Sequence, residues 1–346
     1  MLNKYGKNVN MRFLKRDIGK IKKLIKDNDE FCFNNLIKFD DKKEYECRIC
    51  HNKKIKKYLN VKGYEYAKCS DCESIVLLNI PDVKKLYEKD GTPASTIYLD
   101  KDVFQRRVET IALPKIEFIL ETINKNDNLI WCDVGCGVGE LLEGLKQNYN
   151  GKINGIGIEI DPAEIRFGRE KGLEIVQGFI DPDNPSEEII DIVRKADIVS
   201  MLNVLEHIEK PDEIIDFYKR HMKKGSNLVI EVPRHPSLAS FVNLASPKLT
   251  YRHIAPPVHL QVFSDKSIVK MTGGVGGRFK ITGTWGFGQG FTDILTGMML
   301  HGDISETDLY EKLMDISNDV QRIIDEKGFS DQMIYVLEKE KIHNKF

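Results

Sequence analysis

From residue 129 onward the chain alternates short apolar runs with amphipathic stretches, and this alternation constrains the fold more than any other feature of the sequence. Seven runs have the length and composition of buried strands, and helical periodicity follows each of the first four. These runs are NLIWCDVG, INGIGIEID, LEIVQG, DIVSMLN, SNLVIEVP, RFKITGTW and DQMIYVLEK. Alternating strands and helices form parallel βαβ units within an open sheet. The chain is therefore predicted to be an α/β protein with a doubly wound sheet of seven strands.

The segment DVGCGVG, residues 133–139, follows the first of these strands. Its glycines, Gly135, Gly137 and Gly139, permit a tight turn and a close approach of the backbone to a ligand. Dinucleotide-binding loops use the spacing G-x-G-x-x-G and place a pyrophosphate over a helix N-terminus. Here the spacing is G-x-G-x-G, and Asp133 would repel a pyrophosphate but attract an ammonium or sulfonium group. The pattern therefore predicts a nucleoside with a cationic tail, and S-adenosylmethionine fits that description.

A second acid ends the next strand. Glu159 follows the glycine loop by one predicted helix and one predicted strand, and a carboxylate at that place can accept hydrogen bonds from both ribose hydroxyls. Asp161, just beyond it, is expected to cap the helix that begins at Pro162. The order acid, glycines, acid across two βα units supports a nucleoside site more strongly than the glycines alone.

On these residues the chain resembles the class I S-adenosylmethionine-dependent methyltransferases, and the resemblance covers about residues 105–346. DVGCGVGELLEGL, GIGIEIDP, ADIVSMLNVLEHIEKPDEII and MKKGSNLVIEVPRH are similar to their first, second, fourth and fifth motifs. HLQVFSDKSIVKMTGG is similar to the histidine-containing segment before the last helix of many members that act on small molecules. The resemblance implies a Rossmann-like methyltransferase domain over residues 81–346, with a lid-like insert near 232–265.

The resemblance also implies roles for individual residues. The implied cofactor-binding residues are Asp133, Gly135, Gly137, Glu159, Gly178, Phe179, Asn203 and Leu205. Asp133 and the first two glycines would hold the methionine end, Glu159 the ribose, and Asn203 and Leu205 the surroundings of the methyl group. Many members carry an acid after the third strand that reaches the adenine amine. Here Phe179 occupies that position, so the adenine contacts are expected from the backbone and apolar groups of residues 178–180.

Four of the seven cysteines form two C-x-x-C pairs, Cys47 with Cys50 and Cys69 with Cys72, which are separated by the stretch 51–68. Each pair can turn two thiolates toward one point, and two such pairs complete a tetrahedral site. Zinc suits four sulfur ligands, and a site closed by four protein ligands is structural. Residues 43–80 are therefore predicted to form a zinc-ribbon-like module, with a hairpin that turns at Lys62-Gly63. Cys132 and Cys136 are expected to be packing residues.

Residues 1–42 are predicted to be a basic helical segment. The stretch 11–28 places Leu14, Ile18, Ile21 and Ile25 on one face and lysines and arginines on the other. Such a helix can lie on a membrane surface or pack on its own protein or a sister subunit, and the second interpretation is preferred. Through Cys72 the chain has 19 Lys and Arg against 10 Asp and Glu. This excess fits either an anionic partner or a solvated surface.

Methyl transfer to a hydroxyl group needs a base that removes the proton, and histidine suits this role near neutral pH. Four of the eight histidines, His207, His235, His253 and His259, follow predicted strands or lie in the insert. Three of them are the candidate bases: His207, His235 and His259. His259 ranks first, because Glu206 could hold His207 in a structural role. WGFGQGF, with Trp285 and Gln289, could shape an acceptor pocket.

The preferred function is methyl transfer from S-adenosylmethionine to a small molecule, most simply a sugar or sugar-nucleotide hydroxyl. The methyltransferase motifs preceded by a zinc module resemble bacterial enzymes that modify sugars and surface polysaccharides. The alternatives are an RNA methyltransferase, whose zinc module and basic segment hold phosphates, and a non-catalytic binding module. A homodimer is a further possibility. The chain shows neither a signal peptide nor an apolar run long enough for a membrane span, so a cytoplasmic location is expected.

Overall fold

A computed structural model describes residues 18–83, 86, 98–249, 252–273, 279–301 and 307–340 of the 346-residue chain. Its larger sheet contains β4 Leu129–Val134, β5 Ile153–Glu159, β6 Ile175–Gln177, β7 Ile198–Leu202, β8 Asn227–Pro233, β10 Phe279–Phe287 and β11 Gln332–Lys339. The order of these seven strands is β10-β11-β8-β7-β4-β5-β6. The first five in sequence are parallel, and β11 runs antiparallel to both β8 and β10. The predicted fold, a Rossmann-like α/β sheet of seven strands, is confirmed.

Helices connect these strands and cover the sheet. They are α1 Ile18–Asn34, α2 Lys101–Arg107, α3 Leu113–Ile123, α4 Glu140–Tyr149, α5 Pro162–Glu170, α6 Glu187–Lys195, α7 Pro211–His221, α8 Leu238–Ala245, α9 Asp265–Gly273, α10 Gly290–His301 and α11 Thr307–Glu326. A π-helical segment, Val108–Ala112, joins α2 to α3, and a 3-10 turn, Leu205–His207, follows β7.

The apolar residues of the sheet form two cores, as expected for a sheet that is covered on both faces. One core packs the sheet against α6, α7 and α9, and the other packs it against α3, α4 and α5. Strand β8 is buried along its whole length. The carboxyl ends of β4, β5, β7 and β8 therefore meet at one edge of a well-buried sheet, where α/β proteins bind their ligands.

A smaller sheet contains β1 Ile55–Val61, β2 Tyr64–Cys69, β3 Ile75–Leu77 and β9 Gln261–Val262, in the order β1-β2-β3-β9. The first two strands form the predicted hairpin, and its two turn residues, Lys62 and Gly63, both have positive φ angles. The fourth strand belongs to the insert and is far from β3 in sequence. The cysteine module (residues 43–80) therefore shares its sheet with the insert (residues 232–265).

The N-terminal helix α1 contacts the rest of this chain. Ile21 is buried, and the Cys32 thiol donates a hydrogen bond to the carbonyl of Pro256 in the insert at 2.8 Å. The Tyr64 hydroxyl of the cysteine module donates to the Cys32 carbonyl at 2.9 Å. These contacts agree with the preferred interpretation, a helix that packs on its own protein. Leu14 lies outside the described residues, as does the side chain of Ile18.

Within the described ranges, the structure contains no helix with both the length and the apolar character that a membrane crossing requires.

Candidate functional site

A cavity of about 1170 Å³ lies at the carboxyl edge of the larger sheet. Its walls come from the glycine loop after β4, the end of β5, the segment after β6 and the residues after β7. Helix α1 and the insert also contribute residues to its walls. The cavity therefore lies where the parallel strands predict a ligand site.

The glycine loop has the backbone conformation that its sequence requires. Gly135, Gly137 and Gly139 have φ angles of 66°, 55° and 87°, in the left-handed region that favours glycine. A Cβ atom on Gly135 would lie 2.5 Å from Cγ2 of Val204, on the segment after β7. Gly135 and Gly137 both line the cavity. The loop thus brings bare backbone to the ligand side.

Glu159 lies at the end of β5 with 7% of its surface exposed and lines the cavity. Its Oε2 accepts a hydrogen bond from the Gly137 amide at 2.8 Å. Its Oε1 accepts from the amides of Ile160 and Asp161 at 2.7 and 2.9 Å. Because each carboxylate oxygen can accept two hydrogen bonds, Oε2 keeps one acceptor position for a ligand. The carboxylate is therefore fixed in position before any ligand binds.

Asp161 caps α5 as predicted, because its Oδ1 accepts from the Ala163 amide at 2.8 Å. Asp133 differs from its predicted placement. Its side chain is 4% exposed, accepts a hydrogen bond from the Ser200 hydroxyl at 2.5 Å and is not among the cavity-lining residues. Burial raises its pKa to about 7. The structure therefore places Asp133 behind the glycine loop, between neighbouring strands, and does not bring it to the cavity wall.

The segment after β6 lines the cavity with Gly178, Phe179 and Ile180. The Gly178 amide donates to the Glu159 carbonyl at 2.8 Å, which ties this segment to the end of β5. The side chain of Phe179 is 47% exposed. The segment thus offers the cavity an apolar surface beside the fixed carboxylate.

The residues after β7 divide between the cavity and the core. Asn203 has a φ of 56° and lines the cavity, and its Nδ2 donates to Oε1 of Glu231 at 2.8 Å. Leu205 is fully buried, belongs to the core beneath the sheet edge and is absent from the cavity wall. Asn203 and Leu205 were both predicted to surround the methyl group, and the structure places only Asn203 in the cavity wall. The 3-10 turn that begins at Leu205 directs the Leu205 side chain into the core.

Two charged residues that sequence reasoning missed lie in the same wall. Lys115 on α3 and Glu231 on β8 form an ion pair of 2.6 Å, with side chains 7% and 2% exposed. The ammonium group of Lys115 also lies 5.4 Å from the centre of the Phe287 ring. A charge inside the otherwise apolar run NLVIEVP is the sequence feature that could have indicated this pair, since buried charges are rare unless they are paired.

His207 and His259 come together at the cavity. Their rings are 5.1 Å apart between centroids and lie edge to face. The Nδ1 of His207 donates to the Val258 carbonyl at 2.9 Å, and the Nδ1 of His259 donates to the His253 carbonyl at 3.0 Å. Burial lowers the pKa of both rings, to about 3 for His259. Both imidazoles are therefore neutral at pH 7.

His235, the third candidate, lies elsewhere. It is 5% exposed, its ring contacts that of Tyr58, and its Nδ1 is 3.0 Å from the Ser240 hydroxyl. It is not a cavity-lining residue. Burial lowers its pKa to about 4. The structure therefore separates His235 from the other two histidines.

Glu206 adjoins the histidine pair. It is 1% exposed and lines the cavity, and neither carboxyl oxygen has a hydrogen-bond partner in the part of the chain that the structure describes. Burial raises its pKa to about 8. Ligand atoms of Glu206, His207 and His259 lie within 4.8 Å of one another. The three side chains thus form one polar group at the edge of the sheet.

The four cysteines of the two C-x-x-C pairs converge. Their sulfur atoms lie within 4.8 Å of one another, with 3.5 Å between Cys47 and Cys72 and 3.6 Å between Cys50 and Cys69. Four sulfurs at about 2.3 Å from a tetrahedral zinc ion are about 3.8 Å apart. The observed spacing therefore fits a zinc ion. His51 lies outside this group, because its ring faces Glu46 and Asp212 at the surface.

Comparison with known proteins identifies the class. The model of a family described as a methyltransferase domain matches residues 104–276, half of the chain. The chain belongs to this methyltransferase family, and the predicted enzyme class, a methyltransferase that depends on S-adenosylmethionine, is confirmed. No curated protein sequence matches the chain significantly.

Several solved structures are similar to this one. The mycolic acid cyclopropane synthase CmaA1, complexed with SAH and CTAB, is 13% identical, with a TM-score of 0.49 over 75% of this chain and 99% of that one. The cyclopropane synthase MmaA2 from Mycobacterium tuberculosis is 13% identical, with a TM-score of 0.48 over 75% and 99%. The plantazolicin methyltransferase BpumL is 15% identical, with a TM-score of 0.46 over 75% and 94%.

Proposed function

We propose that this methyltransferase acts on a hydroxyl group of a small-molecule acceptor, a sugar or sugar nucleotide used in surface-polysaccharide synthesis. One observation carries the proposal. One cavity of about 1170 Å³ is lined by the Glu159 carboxylate, which backbone amides hold in place for the ribose of the cofactor. The same cavity is lined by two neutral imidazoles, His207 and His259. Ligand sites for small molecules fall in the range of about 300–1,000 Å³, so this cavity has room for a cofactor and an acceptor together.

The cofactor half is the wall made by β4, β5 and β6. Gly135 and Gly137 present bare backbone, Glu159 keeps an acceptor position for a ribose hydroxyl, and Phe179 offers an apolar surface to the adenine ring. When bound, S-adenosylmethionine supplies a methyl group on a positively charged sulfur, which an acceptor oxygen can displace.

The acceptor half is the wall made by the insert and α10. Arg252 contacts the side chains of Gln289 and Asp293 there, and all three residues line the cavity. Phe287 adds an aromatic surface. Hydrogen-bonding groups beside an aromatic ring suit a polyhydroxylated acceptor. Trp285 is 1% exposed and packs in the core, whereas Phe287 and Gln289 of WGFGQGF line the cavity.

In this proposal, one of the two histidines accepts the proton of the acceptor hydroxyl group. With its Nδ1 donating to the His253 carbonyl, His259 carries its lone pair on Nε2. A neutral imidazole with a free lone pair can take the proton of an acceptor hydroxyl as the new carbon–oxygen bond forms. The adjacent ring of His207 restricts the orientation of His259. These placements make His259 the preferred base and His207 its closest alternative.

In the described part of the basic segment, residues 18–42, the structure gives the RNA methyltransferase alternative little support. Several lysines there are paired with acidic groups of the same chain, including Lys20 with Asp100 and Lys23 with Asp27. Paired lysines contribute little to the capture of a phosphate backbone, because their counter-charge is already provided.

The proposal is tested with labelled S-adenosylmethionine and two acceptor panels, one of nucleotide sugars and free sugars and one of structured RNAs. We expect transfer to at least one sugar acceptor and, by calorimetry, saturable binding of S-adenosylhomocysteine. Transfer to RNA, with an affinity that falls steeply as salt rises, would establish the alternative instead. Absence of cofactor binding would refute both functions.

We also propose that the four-cysteine site (Cys47, Cys50, Cys69 and Cys72) holds one structural zinc ion. Metal analysis of the purified chain should give about one zinc per chain, and Cys50→Ser should remove it, because a missing thiolate opens the tetrahedral site. Cys32→Ser is the matched control, since Cys32 lies outside the site and serine keeps its hydrogen bond to Pro256. Equal zinc content in both variants, or none in the wild type, would contradict the assignment.

A further inference from the structure

The cysteine module and the insert are joined by a shared sheet. Strand β3 pairs with β9 through Ile75 with Val262 and Val76 with Gln261. The Leu77 amide donates to the carbonyl of Leu260, the residue that follows His259, at 2.8 Å. The strand that leads out of the four-cysteine site therefore also holds the backbone next to the preferred base.

Two further hydrogen bonds connect the insert to the segment that begins at Cys72, one of the four cysteines of the proposed zinc site. The Ser264 hydroxyl of the insert donates to the carbonyl of Cys72, and the Ser264 amide donates to the Ser74 hydroxyl at 3.1 Å. A zinc ion that fixes the Cys72 turn would thus fix the end of the insert directly.

Tyr66 forms a hydrogen bond with the main chain of the proposed base, His259. It lies on β2, the strand that ends at Cys69, and its side chain is fully buried. Its hydroxyl donates to the backbone carbonyl of His259 at 3.0 Å. Since this bond holds the main chain of His259, it controls where the imidazole lies in the cavity without touching any ligand.

Four apolar residues of the module, Ile49, Ala67, Val76 and Leu78, belong to the large core of the main sheet. A separate and smaller apolar core lies between the module and the insert. Its buried members are Cys32, Val61, Tyr64, Tyr66, Ile75, Leu77, Ile254, Leu260 and Val262, drawn from α1, the module and the insert. Small modules of this kind depend on a metal to fold, and Cys69, one of the four cysteines, is the last residue of β2. By contrast, the hydrogen bonds that hold Glu159 come from the glycine loop and the end of β5.

We infer that occupancy of the four-cysteine site controls the acceptor half of the active site and leaves the cofactor half intact. Bound zinc stabilises β2 and β3, and these strands hold residues 259–264 through β9, Tyr66 and Ser264. Tyr66 is accordingly a positioning residue for His259. The functional consequence rests on the proposed role of His259, whereas the structural coupling between the metal and the insert does not.

Hydrogen exchange of the full chain tests the coupling without any activity measurement. Zinc-loaded protein, protein stripped by a chelator, and stripped protein given zinc again are compared by mass spectrometry. Removal of zinc should speed exchange at least about tenfold over residues 254–264 and in the module, and restored zinc should reverse it. Peptides from β4 and β5 should keep their protection, and S-adenosylhomocysteine affinity should stay within about twofold.

Unchanged exchange over residues 254–264 after zinc removal would overturn the inference. So would a uniform loss of protection over the whole chain, because zinc would then hold the entire fold and not one half of the site. Neither outcome depends on the acceptor. Hydrogen exchange therefore tests the coupling between zinc and the insert, whereas the methyl-transfer assay and cofactor binding test the proposed function. The two can fail independently.

Tyr66→Phe in the zinc-loaded protein tests the last step separately. Loss of one hydrogen bond should lower turnover about 2- to 10-fold, with zinc content and cofactor affinity unchanged, and should shift the ring proton resonances of His259. Tyr58→Phe, on the neighbouring strand β1, is the matched control and should leave both turnover and those resonances unchanged. Unmoved His259 resonances in Tyr66→Phe would exclude the positioning role.

Discussion

Replacing His259 with alanine is expected to lower the turnover number by about 10²–10⁴-fold while the affinity for S-adenosylmethionine stays within about twofold. The imidazole lies on the insert, whereas the residues that fix Glu159 belong to the sheet edge. Loss of the ring therefore removes the proton acceptor and leaves the cofactor half unaltered. His207→Ala should have a smaller effect on turnover, because His207 is in edge-to-face contact with His259 and restricts its orientation.

Single-turnover kinetics and calorimetry measure the two quantities separately. His301→Ala is the control, since His301 is an exposed residue at the end of α10. His235→Ala should also retain cofactor affinity and most of its turnover, provided the variant folds, because His235 is not part of the cavity wall. Less than tenfold loss in both His259→Ala and His207→Ala would show that the acceptor arrives already nucleophilic or that another residue takes its proton.

The pH dependence gives an independent test of the same base. Burial lowers the pKa of His259 to about 3, so the neutral form that accepts a proton predominates at every pH well above that value. The acid limb of kcat/KM should therefore be absent near pH 6.5, the usual imidazole pKa, and appear only below about pH 5. An acid limb near pH 6.5 would show that another group titrates there, either a less buried histidine or Asp133, whose pKa burial raises to about 7; the limb of Asp133 should persist in His259→Ala.

The sequence predicted the features of this protein that depend on local patterns. Short apolar runs that alternate with helical periodicity predicted the sheet and its helices. The three glycines of residues 135–139 predicted a tight turn, and all three have positive φ angles. The two C-x-x-C pairs predicted a convergence that the sulfur positions match. Each of these predictions rests on residues that are close together in the chain.

The features that the sequence did not predict depend on contacts between residues that are distant in the chain. Strand β9 is too short to show any periodicity, and its partner β3 belongs to a distant part of the sequence. The direction of the Asp133 side chain follows from the pleat, which places it on the same face as Trp131. The Trp131 indole and the Asp133 carboxylate both bond to the Ser200 hydroxyl. The sequence alone does not show that Ser200, on the neighbouring strand β7, meets both side chains.

Glu159→Ala is expected to weaken S-adenosylmethionine binding by about 1.5–3 kcal/mol, the range for hydrogen bonds to a charged group, or about 10- to 150-fold. The carboxylate is already held by three backbone amides, and Glu159 lines the cavity. Its removal takes away the ligand contact and also releases the Gly137 amide, so part of the loss comes from the loop itself. The melting temperature of the ligand-free variant measures the destabilisation of the glycine loop separately from the lost ligand contact.

Asp133→Asn is the informative comparison for Glu159→Ala. If Asp133 contacts the methionine end directly, as the sequence predicts, its substitution should weaken the cofactor about as much as Glu159→Ala does. If its role is to accept the Ser200 hydrogen bond behind the loop, an asparagine carbonyl can replace it, and calorimetry should show less than about a fivefold change in affinity. A carboxyl group whose pKa burial raises to about 7 is also partly protonated at neutral pH, which reduces its attraction for a cationic ligand. Equal losses in the two variants would therefore restore Asp133 to the ligand contacts and require its side chain to turn toward the cavity when the cofactor binds.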